Sequence, residues 1–175
     1  MKLTMMKTFL TVMAISYFMM NASFASPHEN GIDDFYFGQS LEEIQAQYEL
    51  TNKEYDAKDN IVNYTAKIPS LDFYGMNVSQ PIILGFKDNK LCKISFSAFN
   101  LTLDEGSKLY NRIKEFASVQ YGKPALPLSI MTIWYTDEIN LSIMYLALEE
   151  DNKSAVFVTM EENTLSEELL AIFNH

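Results

Sequence analysis

The stretch Pro81–Phe99, PIILGFKDNKLCKISFSAF, has the pattern of a β-hairpin. Two apolar runs, PIILGF and LCKISFSAF, flank the polar residues 87–90, and Asp and Asn are typical of tight turns. In the second run apolar residues alternate with mostly polar ones, which predicts a strand with one apolar face. That predicted face consists of Cys92, Ile94, Phe96 and Ala98.

The same pattern recurs on both sides of this hairpin. NIVNYTAKIP precedes it, and IMTIWYT, INLSIMYLAL and AVFVTME follow it, each with alternating apolar positions. Polar turns at Asp137-Glu138 and Asp151-Asn152-Lys153 separate the last three runs. The pattern therefore predicts three antiparallel strands in each half of the chain.

Three similar stretches have the pattern of helix starts. Ser40-Leu41-Glu42-Glu43, Thr102-Leu103-Asp104-Glu105 and Thr164-Leu165-Ser166-Glu167 begin 62 residues apart (102 − 40 and 164 − 102). In such a capping box the hydroxyl and the glutamate each satisfy a backbone N–H at the helix start. We predict one helix that ends near Leu50, a second that stops at Gly122 and Pro124, and a short C-terminal helix.

Together these elements predict an α+β fold of two αβββ units, with helices packed on an antiparallel sheet and a short C-terminal helix. The first unit covers residues 26–101 and the second covers residues 102–175, as two repeats of one compact domain. The Asp-Asn-Lys turn recurs at Asp88 and Asp151, which favours a repeat. The alternative is a single α+β domain with evenly spaced elements.

Residues 1–25 have the pattern of a secretory signal peptide. Lys2 and Lys7 precede the apolar run Thr8–Met20, and Ser23-Phe24-Ala25 supplies small residues at a cleavage site after Ala25. The apolar run is short for a membrane span. We therefore expect a periplasmic or secreted protein without a stable membrane anchor; the alternative is an uncleaved N-terminal anchor.

The segments FYFGQSLEEIQAQY and PIILGFKDNKLCKISF carry a resemblance to a known group. They resemble the helix start and hairpin of small exported bacterial domains related to the outer-membrane assembly lipoprotein BamE and to the tandem β-lactamase-inhibitory-protein fold. The resemblance covers about residues 35–99, with a weaker echo in 102–161. It implies helices on an antiparallel sheet and a binding or inhibitory role, and it implies no catalytic residues.

Charge and residue types argue against several function classes. The formal net charge is −10, which argues against nucleic acid and anionic lipid as partners. The acidity serves either solubility or attraction of a basic partner. The two histidines, His28 and His175, stand near the ends of the mature chain, and Cys92 is the single cysteine. The chain therefore lacks the histidine that a nucleophile–histidine pair needs and the ligands that a Cys/His metal site needs. We predict no enzyme, no metal and no cofactor.

Aromatic residues are the candidate binding residues. DDFYFG and LDFYGM both place Asp-Phe-Tyr near a glycine, and the second lies in a connection without clear periodicity. Long loops and aromatic side chains are typical of interfaces. The alternative is that Phe73 and Tyr74 close over the core, and alternation leaves open which of Trp134 and Tyr135 faces inward. The candidate residues are Tyr36, Asp72, Phe73, Tyr74 and Trp134.

We therefore predict an exported, non-catalytic binding module. Its partner would be a protein, and its role that of an inhibitor, an immunity protein or an envelope-assembly factor. The alternative is a carrier of a small apolar or lipid-like ligand in the periplasm.

Overall fold

A single antiparallel sheet of eight strands organises the molecule. The computed structural model describes residues 30–69, 71–73, 76–78, 81–148 and 151–163. In spatial order the strands are β3 (Glu49–Asp56), β4 (Ile61–Lys67), β7 (Ile82–Lys87), β8 (Lys90–Thr102), β12 (Lys153–Glu162), β11 (Ile139–Leu148), β10 (Met131–Tyr135) and β9 (Leu126–Pro127).

Smaller elements accompany the sheet. Two short hairpins are formed by β1 (Gly31–Ile32) with β2 (Phe35–Tyr36), and by β5 (Leu71–Phe73) with β6 (Met76–Val78). The described helices are α1 (Leu41–Gln45) and α2 (Leu103–Tyr121). The predicted signal peptide and C-terminal helix lie outside the described residues. Cleavage after Ala25 and the boundary between residues 101 and 102 stay predictions.

The predicted fold class is wrong. The structure is mostly β, with 55% strand and 20% helix, and its described helices are only two. The predicted architecture of two αβββ units with helices packed on the sheet therefore does not describe it. Capping boxes at Ser40 and Thr102 are present as predicted, but the first opens a helix of only five residues, Leu41–Gln45.

The early end of α1 explains part of this error. We expected the helix to continue to Leu50, but residues 49–56 form strand β3 at one edge of the sheet. This stretch, ELTNKEYD, has no alternating pattern, so no local signal predicts a strand there. Pairing with β4 decides its conformation: Leu50 lies opposite Ala66 and Tyr55 opposite Val62. Tertiary pairing thus overrides local preference.

Other covering elements replace the missing helix over the first half of the sheet. Gly38 donates a backbone hydrogen bond to Leu91, and Leu91 donates one to Gln39, which fixes the N-terminal segment beside β8. Apolar side chains from this segment, α1 and β5 join the core beside the sheet. They are Ile32, Phe35, Phe37, Ile44, Leu71 and Phe73.

The strand β8 departs from simple alternation at Cys92. The register with β7 shifts between Gly85 and Phe86, so that Phe86 lies opposite Leu91 while Gly85 lies opposite Lys93. This bulge leaves Cys92 as an extra residue. Leu91 is therefore fully buried, and Cys92, which we predicted on the buried apolar face, is only half-buried.

Pairing of β8 with β12 joins the two halves of the chain. Ile94 lies opposite Met160, and Phe96 lies opposite Val158. All four side chains are buried, so the junction is also the centre of the core. On one side of it the sheet continues to β3, and on the other side to β9.

Helix α2 packs on the core face of β8, β11 and β12. Its buried side chains include Tyr110, Ile113 and Ala117. Close contact requires a glycine at position 106, because a Cβ there would overlap the Oγ atom of Ser154 on β12. Ser154 Oγ itself donates a hydrogen bond of 2.8 Å to the Thr102 carbonyl at the start of α2.

We expect Gly106→Ala to destabilise the protein. Alanine has the higher helix propensity by about 1 kcal/mol, but overpacking at a tight contact costs about 1–3 kcal/mol. Urea unfolding would measure the difference, and the double variant Gly106→Ala/Ser154→Ala should recover part of the loss because the overlapping Oγ is absent. A Gly106→Ala protein more stable than wild type would contradict this close packing.

The capping box of α2 should make part of the stability depend on pH. Hydrogen bonds from the Thr102 N–H, at 2.9 Å, and from its hydroxyl, at 2.8 Å, hold the pKa of Glu105 below its usual value. A lowered pKa contributes stability above the unfolded-state value, and this contribution is lost as pH falls through the folded-state value. Glu105→Gln should therefore lower stability at neutral pH but matter little at about pH 3, below the usual carboxyl range.

Thermal unfolding at both pH values would test this, with Glu115→Gln as control. Glu115 is exposed on the same helix, away from the cap. An equal loss in Glu105→Gln and Glu115→Gln at neutral pH would contradict a special role for the cap.

Candidate protein-binding face

The eight-stranded sheet has two faces of different character. On the core face, Trp134, Leu141, Met160 and Ile94 follow one another across paired strands, and all are buried. The opposite face, which we call the open face, carries the alternate residues of the same strands. Among the described residues, no helix or strand outside the sheet covers the open face.

Apolar side chains cluster at one end of the open face. Phe99 on β8 packs edge-to-face on Phe157 of β12, with ring centroids 5.4 Å apart. Phe157 lies opposite Met144 of β11, and Leu146 and Leu148 follow on the same side of that strand. The exposed fractions are 49% for Phe99, 45% for Leu146 and 48% for Leu148, so water contacts about half of each side chain. We call these five residues the apolar patch.

The other end of the open face is polar. Ser95 Oγ donates a hydrogen bond to Thr159 Oγ1 at 3.2 Å across the β8–β12 junction. At the next pair of residues on the open face, Lys93 Nζ lies 2.8 Å from a carboxylate oxygen of Glu161. The Lys93 and Glu161 side chains are partly exposed, and their charges compensate each other within the sheet. The face therefore changes from apolar to polar along the strands.

Two of the predicted site residues, Phe73 and Trp134, lie in the core and not on this face. Phe73 is 1% exposed and packs edge-to-face on Phe96, with centroids 5.0 Å apart. Trp134 is also 1% exposed, and its Nε1 donates to the Gly122 carbonyl at 3.0 Å. Both side chains therefore lie in the core, where a partner does not reach them.

Tyr36 and Asp72, two further predicted residues, belong to the two short hairpins. Tyr36 is half-buried on β2, and Asp72 lies in β5 opposite Asn77. Tyr74 lies outside the described residues. The connection that we expected to be a functional loop contains the β5–β6 hairpin, whose Leu71 and Phe73 belong to the core.

A cleft of about 270 Å³ lies on the other side of the sheet from the open face. Its floor is formed by the buried rings of Tyr64 and Phe86, and Lys53 Nζ stands 5.9 Å from the Tyr64 ring centroid. Tyr55 at the rim donates to Asn60 Oδ1 at 2.9 Å. The lining is polar as well as apolar, which does not match the enclosed apolar cavity that a lipid carrier needs.

The thiol of Cys92 has the environment of a structural cysteine. Its Sγ lies 3.4 Å from the Gly85 carbonyl as a weak donor. Burial raises the pKa of this thiol, and the nearby Glu162 carboxylate raises it further. A raised pKa keeps the group protonated and therefore a poor nucleophile.

Within the described ranges, no group of three or more His, Cys, Asp or Glu residues is placed to hold a metal ion. The described part of the chain also contains no helix that is both long and apolar enough to cross a membrane.

The sequence contains a pattern other than alternation that indicates the apolar patch. Residues 143–148, IMYLAL, are apolar at every position, whereas residues 139–142 alternate. A continuous apolar run in a strand indicates contacts on both faces. In β11 one set, Ile143 and Tyr145, packs in the core, while the other, Met144 and Leu146, belongs to the exposed patch.

Comparison of this chain with family models, curated proteins and solved structures found no match.

The burial of Phe73 leads to a prediction about stability. Phe73→Ala should lower the free energy of unfolding by about 3–5 kcal/mol, because a buried ring is lost from the core. Phe99→Ala on the exposed patch should change it by only about 0.5 kcal/mol. Urea unfolding of both variants would test this pair, and equal losses would contradict the assigned burial.

Proposed function

We propose that this protein is an exported, non-catalytic module that binds a protein partner through the open face of its sheet. The observation that supports it is the apolar patch, with Phe99, Leu146 and Leu148 each close to half exposed. Aromatic and aliphatic groups of this kind form the centre of protein interfaces. The roles consistent with such a module are those of an inhibitor, an immunity protein or an envelope-assembly factor.

The rigidity of the patch supports binding without large rearrangement. Phe99, Phe157 and Met144 stand on three adjacent strands, and β12 is paired on both sides along most of its length. The opposite side of these strands packs against α2. A preorganised apolar surface loses little conformational entropy on binding, so more of the contact free energy contributes to affinity.

The charge of the protein favours a basic protein partner. A formal net charge of −10 disfavours nucleic acid and anionic lipid, and it attracts basic proteins at long range. We place the protein in the periplasm or outside the cell, on the pattern of residues 1–25. The carrier of a small apolar ligand remains the alternative hypothesis, and retained lipid in native mass spectra of the purified protein would favour it.

Matched variants would test the proposed face. Phe99→Ser and Leu146→Ser remove apolar anchors from the patch, and we expect each to weaken partner binding about tenfold. Val119→Ser is the control, because Val119 is an exposed apolar residue on α2, 87% accessible and away from the sheet's open face. Affinity capture from envelope extract, followed by titration of the captured protein, would measure the effect.

The comparison between variants decides the outcome. A partner retained by Val119→Ser and lost by both patch variants supports the proposal. A partner that binds all three proteins equally would show that the open face is not the interface.

A further inference from the structure

The strand β11 extends beyond its neighbour β10 on one side. The pairing of β10 with β11 runs from Tyr135 opposite Asn140 to Met131 opposite Met144. Its last contact is the Tyr145 N–H, which donates to the Ile130 carbonyl at 2.8 Å. Beyond that bond, residues 146–148 of β11 pair with β12 only, among the described residues. We call residues 145–148 on the β10 side the β11 edge.

Antiparallel geometry determines which backbone groups face this edge. Along a strand, successive residues direct their N–H and C=O groups alternately to one neighbour and to the other. Tyr145 directs its N–H toward β10, so Ala147, two residues later, directs its groups to the same side. Ala147 is exposed, and no described residue pairs with it there. Within the described part of the chain, its N–H and C=O thus stay open to a further strand.

Apolar side chains surround the same edge. Leu146 and Leu148 flank Ala147 on the open face, and Ile130 stands where β10 begins, with 60% of its surface exposed. Added strands place alternate side chains beside those of the edge strand, about 5 Å away. A segment with alternate apolar residues would therefore extend the apolar patch.

The two outer edges of the sheet are protected against such pairing, unlike the β11 edge. At one end β3 has a register shift between Thr51 and Glu54, a left-handed residue at Asn52 (φ 49°) and exposed charges. At the other end β9 has only two residues and ends at Pro127. Bulges, charges and proline are the usual means by which proteins block strand addition. The β11 edge has none of these among its described residues.

Charge indicates the kind of segment that fits. The sequence continues from Leu148 with Glu149, Glu150 and Asp151, within a protein of formal net charge −10. A basic segment would be attracted to this region. A second copy of the chain would bring the same acidic run and the same net charge, and an edge of four residues contributes little of the about 1,200 Å² that a stable interface buries.

From these observations we infer that the partner contributes a basic, extended segment with alternating apolar residues, which adds to the β11 edge as a further strand. This inference rests on the proposed protein-binding function and names the mode of binding. The Ala147 N–H and C=O form the central backbone hydrogen bonds, and Leu146 and Leu148 contact the alternate apolar side chains of the segment.

A defined peptide probe tests the mode directly. The probe is a fluorescein-labelled peptide, Lys-Val-Thr-Val-Thr-Val-Lys, titrated with the full-length protein by fluorescence polarisation. The matched controls are the same peptide with both lysines replaced by glutamates, and the same peptide with its central valine replaced by proline. We expect the first peptide to bind with a Kd below about 1 mM and both controls to bind at least about tenfold more weakly.

Two variants of Ala147 isolate the backbone contribution. Ala147→Pro removes an N–H that bonds to no described residue, so the sheet should stay intact, whereas Ala147→Thr keeps that N–H. We expect Ala147→Pro to weaken peptide binding about tenfold and Ala147→Thr to leave it within about twofold. Hydrogen exchange of the Ala147 amide in wild-type protein, followed by NMR, should slow when the peptide is added, which gives a readout independent of any variant.

Each outcome has one meaning. Slower exchange at Ala147 together with weaker binding by Ala147→Pro supports strand addition. No peptide binding at 1 mM, or binding that leaves Ala147 exchange unchanged, overturns it. Dimerisation of wild-type protein that Ala147→Pro abolishes would assign the edge to a second copy and also overturn it. If a captured partner no longer binds Phe99→Ser but still binds Ala147→Pro, strand addition is overturned and the proposed function stands. If the partner binds both variants as well as wild type, the proposed function is contradicted as well.

Discussion

The pairing of β8 with β12 is the constraint on which the rest of the structure depends. It joins two strand groups that are far apart in the chain, and it places Ile94 against Met160 and Phe96 against Val158 at the centre of the core. If this register shifted by one residue, each of these side chains would move to the open face. The same pairing sets Ser95 beside Thr159 and brings Phe99 to Phe157, so it determines the open face as well.

An eight-stranded sheet needs cover on at least one face, and the two halves obtain it in different ways. In the second half, α2 lies close because Gly106 has no side chain to meet Ser154. In the first half, the N-terminal hairpin, the short helix α1 and β5 contribute the covering side chains, with Phe73 packed on Phe96. This cover buries Phe73, one of the aromatic residues that we predicted for binding. The apolar patch on the opposite face stays exposed, and the proposed function rests on it.

Local pattern predicted many elements and failed where side chains do not determine conformation. Alternation in residues 61–67 and 139–142 identified β4 and β11, the apolar run in residues 82–87 identified β7, and hydroxyl–glutamate pairs identified both described capping boxes. Residues 49–56 have no alternation and become a strand only because β4 offers backbone groups to pair with. The bulge at Cys92 brings Leu91 into the core and leaves Cys92 half-buried, since one extra residue interrupts the alternation. The capping box at Ser40 does open a helix, but this helix, Leu41–Gln45, is too short to cover the sheet.

The sequence by itself determined the local chemistry of this protein: where the alternating strands and the polar turns form, where the described helices start, the acidity, and the scarcity of histidine and cysteine. These properties follow from neighbouring residues, whose patterns can be read along the chain. Only the tertiary structure decided the order of strands, which aromatic rings are buried, and that Leu146, Leu148 and the Ala147 backbone meet at an edge with which no described strand pairs. Those properties depend on how long each strand is relative to the strand beside it, and that neighbour is often distant in sequence.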